Sequence, residues 1–288
     1  PHRSPWSWDD RAVPEVAFVL GGGGLLGASE VGMLRALVHA DVRPDLIVGT
    51  SVGAINGAVF ASAPGGHVVD RLETMWSSLS RDDIFGGSAL RQVSTLARTR
   101  THTHSSEPLR DLLASILGED RLIEDLSIPF QCVAASIERA AEHWFERGGV
   151  VEAVLASSAV PGLLPPVEVG GEHFFDGGLV HSIPIGRAVA LGARTVYVLH
   201  VGRIERPLQP PSRPWEVAMV AFEIARRHRF AADMAAVPDN VTVHVLPTGD
   251  PEPPKYADLS TLRYRDTARV AERIQLAQQS AAAYLARQ

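Results

Sequence analysis

The chain has one cysteine, Cys132, among its 288 residues, so no internal disulfide can form. That scarcity suits a reducing compartment and gives cytoplasmic location as the expectation. Lysine is almost missing: Lys255 stands alone, and the other 26 of the 27 basic residues are arginine. The bias gives a GC-rich bacterial genome as the expectation and points to no particular chemistry. Excess positive charge is also missing. A net charge of -6 argues against a nucleic-acid partner, which needs basic clusters, and it supplies no general attraction to anionic membranes. No apolar run reaches membrane-spanning length. The opening stretch "PHRSPWSWDDRAVPE" has no apolar centre and does not read as a signal peptide. Any membrane contact is therefore expected to be peripheral.

Hydrophobic residues make up 45% of the chain and charged ones 21%, enough apolar material for a sizeable core. "EVAFVL" (15–20) and "PDLIVGT" (44–50) are short apolar runs of the kind found in buried parallel strands. Between them "ASEVGMLRALVHA" puts Val31, Leu34, Leu37 and Val38 on one helical face, and "VGAINGAVFAS" (52–62) reads as a small-residue helix. Further runs follow: a strand pair in "PFQCVAASI" and "EHWFERG", a helix "VVEAVLASSAV" stopped by Pro161, and strands "EHFFDGGLV", "ARTVYVLHVG" and "VTVHVLP". Helices are expected over about 214–236 and from about 261. The alternation implies an α/β fold with a central, mostly parallel sheet flanked by helices in three layers. Residues 64–106, polar and rich in glycine and serine at both ends, are expected to form a mobile cap. No repeat and no clean linker divides the chain. One domain over 14–285, with 1–13 as an extension, is the expectation.

Three features carry chemistry. "GGGLLG" (22–27) satisfies the dinucleotide pattern G-x-G-x-x-G between a strand and a helix. A nucleotide site of that kind also needs an acid at the end of the second strand. Here that strand ends Val48-Gly49-Thr50-Ser51, and Asp45 lies at its beginning. No nucleotide is therefore expected. "GTSVG" (49–53) is a G-x-S-x-G between strand and helix, the pattern of a nucleophile elbow. Gly49 and Gly53 leave room for a strained turn that lifts Ser51 to a helix N-terminus. Acyl transfer at Ser51 would create an oxyanion, and the two loops open side by side at the carboxyl edge of the sheet. The N–H groups of Gly23, Gly24 and Leu25 are then the candidate donors. The third feature is the base. The eleven histidines are scattered without a motif, whereas "FFDGGLVHSIP" (174–184) offers Asp176 at a strand end, followed by Gly177 and Gly178. Asp176 is a candidate base for Ser51 if burial raises its pKa. A plain Asp-Gly turn is the competing reading.

In order and spacing, "GGGGLLG", "GTSVG" and "DGG", with the approach "ASSAVPGLLPPVEVGGEHFFDGGLV", resemble the patatin-like phospholipase family over about residues 14–285. The resemblance implies hydrolysis of fatty acyl esters of lipids by a Ser–Asp dyad without histidine. Ser51 would be the nucleophile, Asp176 the general base and Gly22, Gly23, Gly24 and Leu25 the oxyanion loop. It implies a covalent acyl-enzyme, a lipid or acyl ester as partner, no cofactor, no metal and no calcium dependence. Two positions depart from the family. Leu26 stands where an arginine or lysine is common, and Ser182, two residues before Pro184, stands where asparagine is frequent.

Other readings remain at this stage. A histidine triad would need His200 or His244. A patatin-fold protein without catalysis could bind lipid or phosphate through the glycine loop. Val217, Val220, Phe222 and Ile224, beside a basic group at 226–229, could form an interfacial helix, although core packing with a solvated basic end fits helix patterning better. Residues 80–106 are the candidate gate for acyl entry.

Overall fold

The computed structural model describes residues 13–79, 99, 102–201, 207–212, 214–250 and 267–288. In chain order these give β1 (Val16–Leu20), α1 (Ala28–His39), β2 (Leu46–Thr50), α2 (Val52–Ser62), α3 (Gly66–Leu79) and α4 (Glu107–Leu117). Then come β3 (Phe130–Ser136), β4 (Ala141–Phe145), α5 (Val150–Ser157), β5 (Val167–Val169), β6 (Glu172–Asp176) and α6 (Ile185–Ala190). The described chain closes with β7 (Thr195–Leu199), α7 (Pro214–Ala235), β8 (Thr242–Leu246) and α8 (Thr267–Leu285).

The strands form one eight-stranded sheet. Its centre is parallel, in the order β3-β2-β1-β7-β8, while β4 and β6 run antiparallel to β3 and β5 pairs with β6. The mostly parallel α/β sheet is as expected. Period-two alternation sorts its side chains into two cores. Phe18, Leu20, Ile47 and Phe130 face one layer, built largely from α1 to α5 and α8. Ala17, Val19, Leu46 and Val48 face the other, where Ile183, Ile185 and Ala188 meet Phe230 and Met234 of α7. Because the central strands are covered on both sides, they are apolar throughout rather than alternating with polar residues.

Three expectations need correction. The expected cap over 64–106 contains α3, whose Val68, Val69, Leu72, Met75 and Trp76 are all buried. These positions recur with helical spacing, so the segment belongs to the core; residues 80–98, 100 and 101 of the expected cap and gate lie outside the described residues. Helix α5 ends at Ser157, before Pro161. Its exit frees the Ala159 carbonyl to accept from the Asp176 N–H at 2.9 Å, and Val160, preceding a proline, disfavours helical backbone. Finally, α7 is not packed as expected. Val220 is buried, but Val217 and Ile224 are 54% and 56% exposed. Seven residues apart, those two share an outer face, and Arg226 is buried against Glu223 rather than solvated. Among the described residues no helix is long and apolar enough to cross a membrane.

Candidate active site

The site is made by two strands that meet end to end. Strand β2 runs parallel to β3 and finishes with Thr50 opposite Val133. Strand β6 runs antiparallel to β3 and finishes with Asp176 opposite Ala134. Strand β4 occupies the other flank of β3 over Cys132–Ser136, so β2 and β6 share one flank and approach head-on. Residues 125 positions apart thereby face each other: Ser51 Oγ donates to Asp176 Oδ2 at 2.6 Å.

Ser51 sits on the turn between β2 and α2 with φ 55° and ψ -122°. Such a backbone is strained for a residue with a side chain, by about 1–3 kcal/mol, and is held only because its surroundings over-determine it. The close packing is visible at the flanking glycines. A Cβ on Gly49 would lie 2.6 Å from the Gly53 carbonyl oxygen, and one on Gly53 would lie 2.3 Å from that of Leu20. Helix α2 points its N-terminus at Ser51, so its dipole favours negative charge developing there. The Ser51 N–H donates to Ser157 Oγ at 2.9 Å.

Asp176 is only 4% exposed. Burial raises its pKa from the ordinary 3.8 to about 6, against the lowering effect of hydrogen bonds from Ser51 and the Gly178 N–H. The Gly178 bond, 2.7 Å to Oδ1, leaves Oδ2 for the serine. Gly177 has no room for a side chain, since a Cβ would lie 2.1 Å from the Val133 carbonyl oxygen. Both predicted dyad residues are thus brought together, with no histidine between them. His244 stacks on Tyr197 within the sheet, and His200 lies at the end of β7 beside Gly21 and Arg226.

The glycine loop lies alongside. A Cβ on Gly22 would come within 3.6 Å of the Ser51 Cβ. The N–H of Gly22, however, is donated to the Ser182 carbonyl at 2.7 Å, so Gly22 anchors the loop and is not an oxyanion donor. Gly23 precedes a single 3-10 turn over Gly24–Gly27. The first amides of such a turn, those of Gly23, Gly24 and Leu25, have no acceptor within it. Gly24 adopts φ +55°, a conformation glycine takes without strain.

A profile of the patatin-like phospholipase family matches residues 18–189. The chain belongs to that family. Within it, patatin-like phospholipase domain-containing protein ZK370.4 of Caenorhabditis elegans is 33% identical over 193 residues, 66% of this chain and 14% of that protein. Patatin-like phospholipase domain-containing protein 7 of Rattus norvegicus is 31% identical over 189 residues, 65% of this chain and 14% of the relative. Lysophospholipase nte1 of Aspergillus terreus is 32% identical over 191 residues, 66% and 12% respectively. The chain therefore spans 12–14% of the length of these patatin-like relatives.

Several patatin-like site contacts were not read from the sequence. Thr50 Oγ1 donates to the His181 carbonyl at 2.7 Å, so the segment after Asp176 is tied to the end of β2 as well as to Gly22. At Ser182 it is the backbone carbonyl that makes this tie, accepting from the Gly22 N–H. His181 is buried in contact with Glu142, 3.7 Å from Asp233 and 2.6 Å from Arg229. Ser157 could not have been found locally, because it serves a residue 106 positions away.

Proposed function

We propose that this patatin-like chain is a serine acyl hydrolase that cleaves fatty acyl esters of lipids through a Ser51–Asp176 dyad. The observation that carries this is the 2.6 Å hydrogen bond from a strained serine at the N-terminus of α2 to a buried carboxylate whose pKa is raised to about 6. A base in that range is largely ionised at neutral pH and still accepts a proton readily. Ser51 Oγ attacks the ester carbonyl as its proton moves to Asp176 Oδ2. The carbonyl oxygen becomes an oxyanion facing the amides of Gly23, Gly24 and Leu25, near the positive end of α2. Collapse expels the alcohol, which takes the proton from Asp176, and leaves an acyl group on Ser51. Water then gives a proton to Asp176 and its hydroxide to the acyl carbon; the serine regains the proton and the fatty acid departs.

The names of the relatives, a lysophospholipase among them, support lipid esters as the substrate class. Leu26 supplies no cation beside the loop, which favours esters with an uncharged region next to the scissile bond. A fluorophosphonate probe tests the reading. Wild-type protein is expected to be labelled and Ser51→Ala not at all, with Asp176→Asn labelled at least ~100-fold more slowly, the scale of a lost base. Labelling of Asp176→Asn at the wild-type rate would sink the dyad. A well-folded wild type that takes no label would favour a binding protein.

A further inference from the structure

Among the described residues Asp176 has one companion as a buried carboxylic acid. Glu30 has no exposed surface at all. It lies in the first turn of α1, directly after the glycine loop. Burial pushes its carboxyl well above the usual carboxylate range, against the lowering effect of the hydrogen bond from the Asn56 amide. No cation opposes this shift. One oxygen, Oε1, has no hydrogen-bond partner among the described residues. An arrangement this costly calls for a role.

Its neighbours point to one. Glu30 Oε2 accepts from Asn56 Nδ2 at 2.7 Å, and the same nitrogen donates to the Gly27 carbonyl at 3.0 Å. Asn56 Oδ1 accepts from Trp76 Nε1 at 2.9 Å. Gly27 is pressed onto this group, since a Cβ there would lie 2.2 Å from Val52 Cγ2 and 2.8 Å from the Trp76 ring. At the other end of the loop the Gly21 and Gly22 N–H groups are tied to Leu199 and Ser182. The Glu30 carboxyl reaches the Gly27 end through Asn56, whose amide bonds both groups.

We propose that Glu30 is a positioning residue: with Asn56 it holds the Gly27 foot of the glycine loop, whose other foot is tied by the Gly21 and Gly22 N–H groups, and so sets the height of the Gly23–Leu25 amides over Ser51. This rests on the hydrolase reading, in which those amides receive the oxyanion. Donors of this kind act only when held within a fraction of an ångström by the shell behind them. The clamp works through a hydrogen bond accepted from Asn56, so an amide of the same shape should replace it and an apolar side chain should not.

The test compares Glu30→Leu and Glu30→Gln in the full chain, using a p-nitrophenyl acyl ester and hydrogen–deuterium exchange. In Glu30→Leu, kcat is expected to fall at least ~10-fold with KM within about twofold, the signature of an interaction made in the transition state. Glu30→Gln should stay within about threefold of wild type in both constants. Exchange in the peptide covering 20–27 should quicken in Glu30→Leu and not in Glu30→Gln, with the bonded Gly21 and Gly22 amides as reporters. If Glu30→Leu does not fold, Trp76→Phe takes its place. It keeps a ring, removes one bond to Asn56, and should lower kcat about threefold at unchanged KM. An unchanged kcat in the folded variant, or an equal fall in Glu30→Gln and Glu30→Leu, overturns the proposal. Should the wild type hydrolyse no ester and take no probe at Ser51, the hydrolase reading fails instead. The exchange comparison then decides the clamp, and equal uptake in all variants rejects it.

Discussion

In the proposed dyad Asp176 links reactivity to stability, because the burial that raises its pKa also penalises its charge. The pH dependence of kcat/KM is expected to rise through about 6 and then level, reporting the free dyad; a rise centred near 4 would remove the perturbed base. Stability runs the opposite way. The folded protein binds this proton more tightly than the unfolded chain, so the contribution favours folding below the unfolded value of 3.8 and is lost as the pH rises through about 6. Asp176→Asn stays neutral throughout. Its stability relative to wild type should therefore be greater at pH 8 than at pH 4, by on the order of 2–3 kcal/mol. Urea unfolding at the two pH values checks the sign. At this scale the sequence was readable where a residue type is chemically exclusive, as with Ser51 inside G-x-S-x-G. Glu30 was readable in principle, since it shares the face of Leu34 and Leu37 at i+4 and i+7, where an acid is out of place. The Gly22 amide was not, because its acceptor is a carbonyl 160 residues downstream.

Among the elements, the decisive fact is that β2 and β6 end head-on along one flank of β3. The strands themselves were visible as short apolar runs. Their meeting was not, because no local pattern states that β6 runs antiparallel and shares a flank with β2. Helix α3 was missed for a related reason: its buried stripe lies next to a polar segment, and composition outweighed periodicity. The junction makes Gly177 the least replaceable backbone position in the base loop. A Cβ there would stand 2.1 Å from the Val133 carbonyl oxygen, on the strand that aligns both dyad residues. Gly177→Ala is expected to destabilise the fold by about 1–3 kcal/mol, as overpacking does. It should also slow fluorophosphonate labelling far more than that loss of folded protein explains, because moving Asp176 breaks a 2.6 Å contact. Labelling at the wild-type rate in the folded variant would mean that the junction tolerates displacement.

On the scale of the whole molecule, the family match ends at residue 189, yet the sheet and its covering do not. Strand β7 pairs with β1 along its full length, and β8 pairs with β7. Helix α8 closes one face by packing on α1, with Val270, Ile274, Ala277 and Ala281 all buried. The contact is backbone-close: a Cβ on Gly32 of α1 would come 2.1 Å from the Ile274 carbonyl oxygen. Helix α1 follows directly from the glycine loop and carries Glu30, so α8 packs on the helix that the glycine loop leads into. We therefore expect the cooperative unit to extend over 14–285. A chain ending at residue 266 should lose several kcal/mol, since each large apolar side chain exposed costs about 1.5–3 kcal/mol. A chain ending at 190 should not fold, because β1 would become an uncovered edge with all five of its residues buried or half-buried in the intact sheet. Thermal unfolding of the 266 truncation checks the first expectation. Restored ester hydrolysis on adding a peptide of residues 267–288 in trans would strengthen it, while a wild-type melting temperature without that helix would show that α1 and its loop stand unaided.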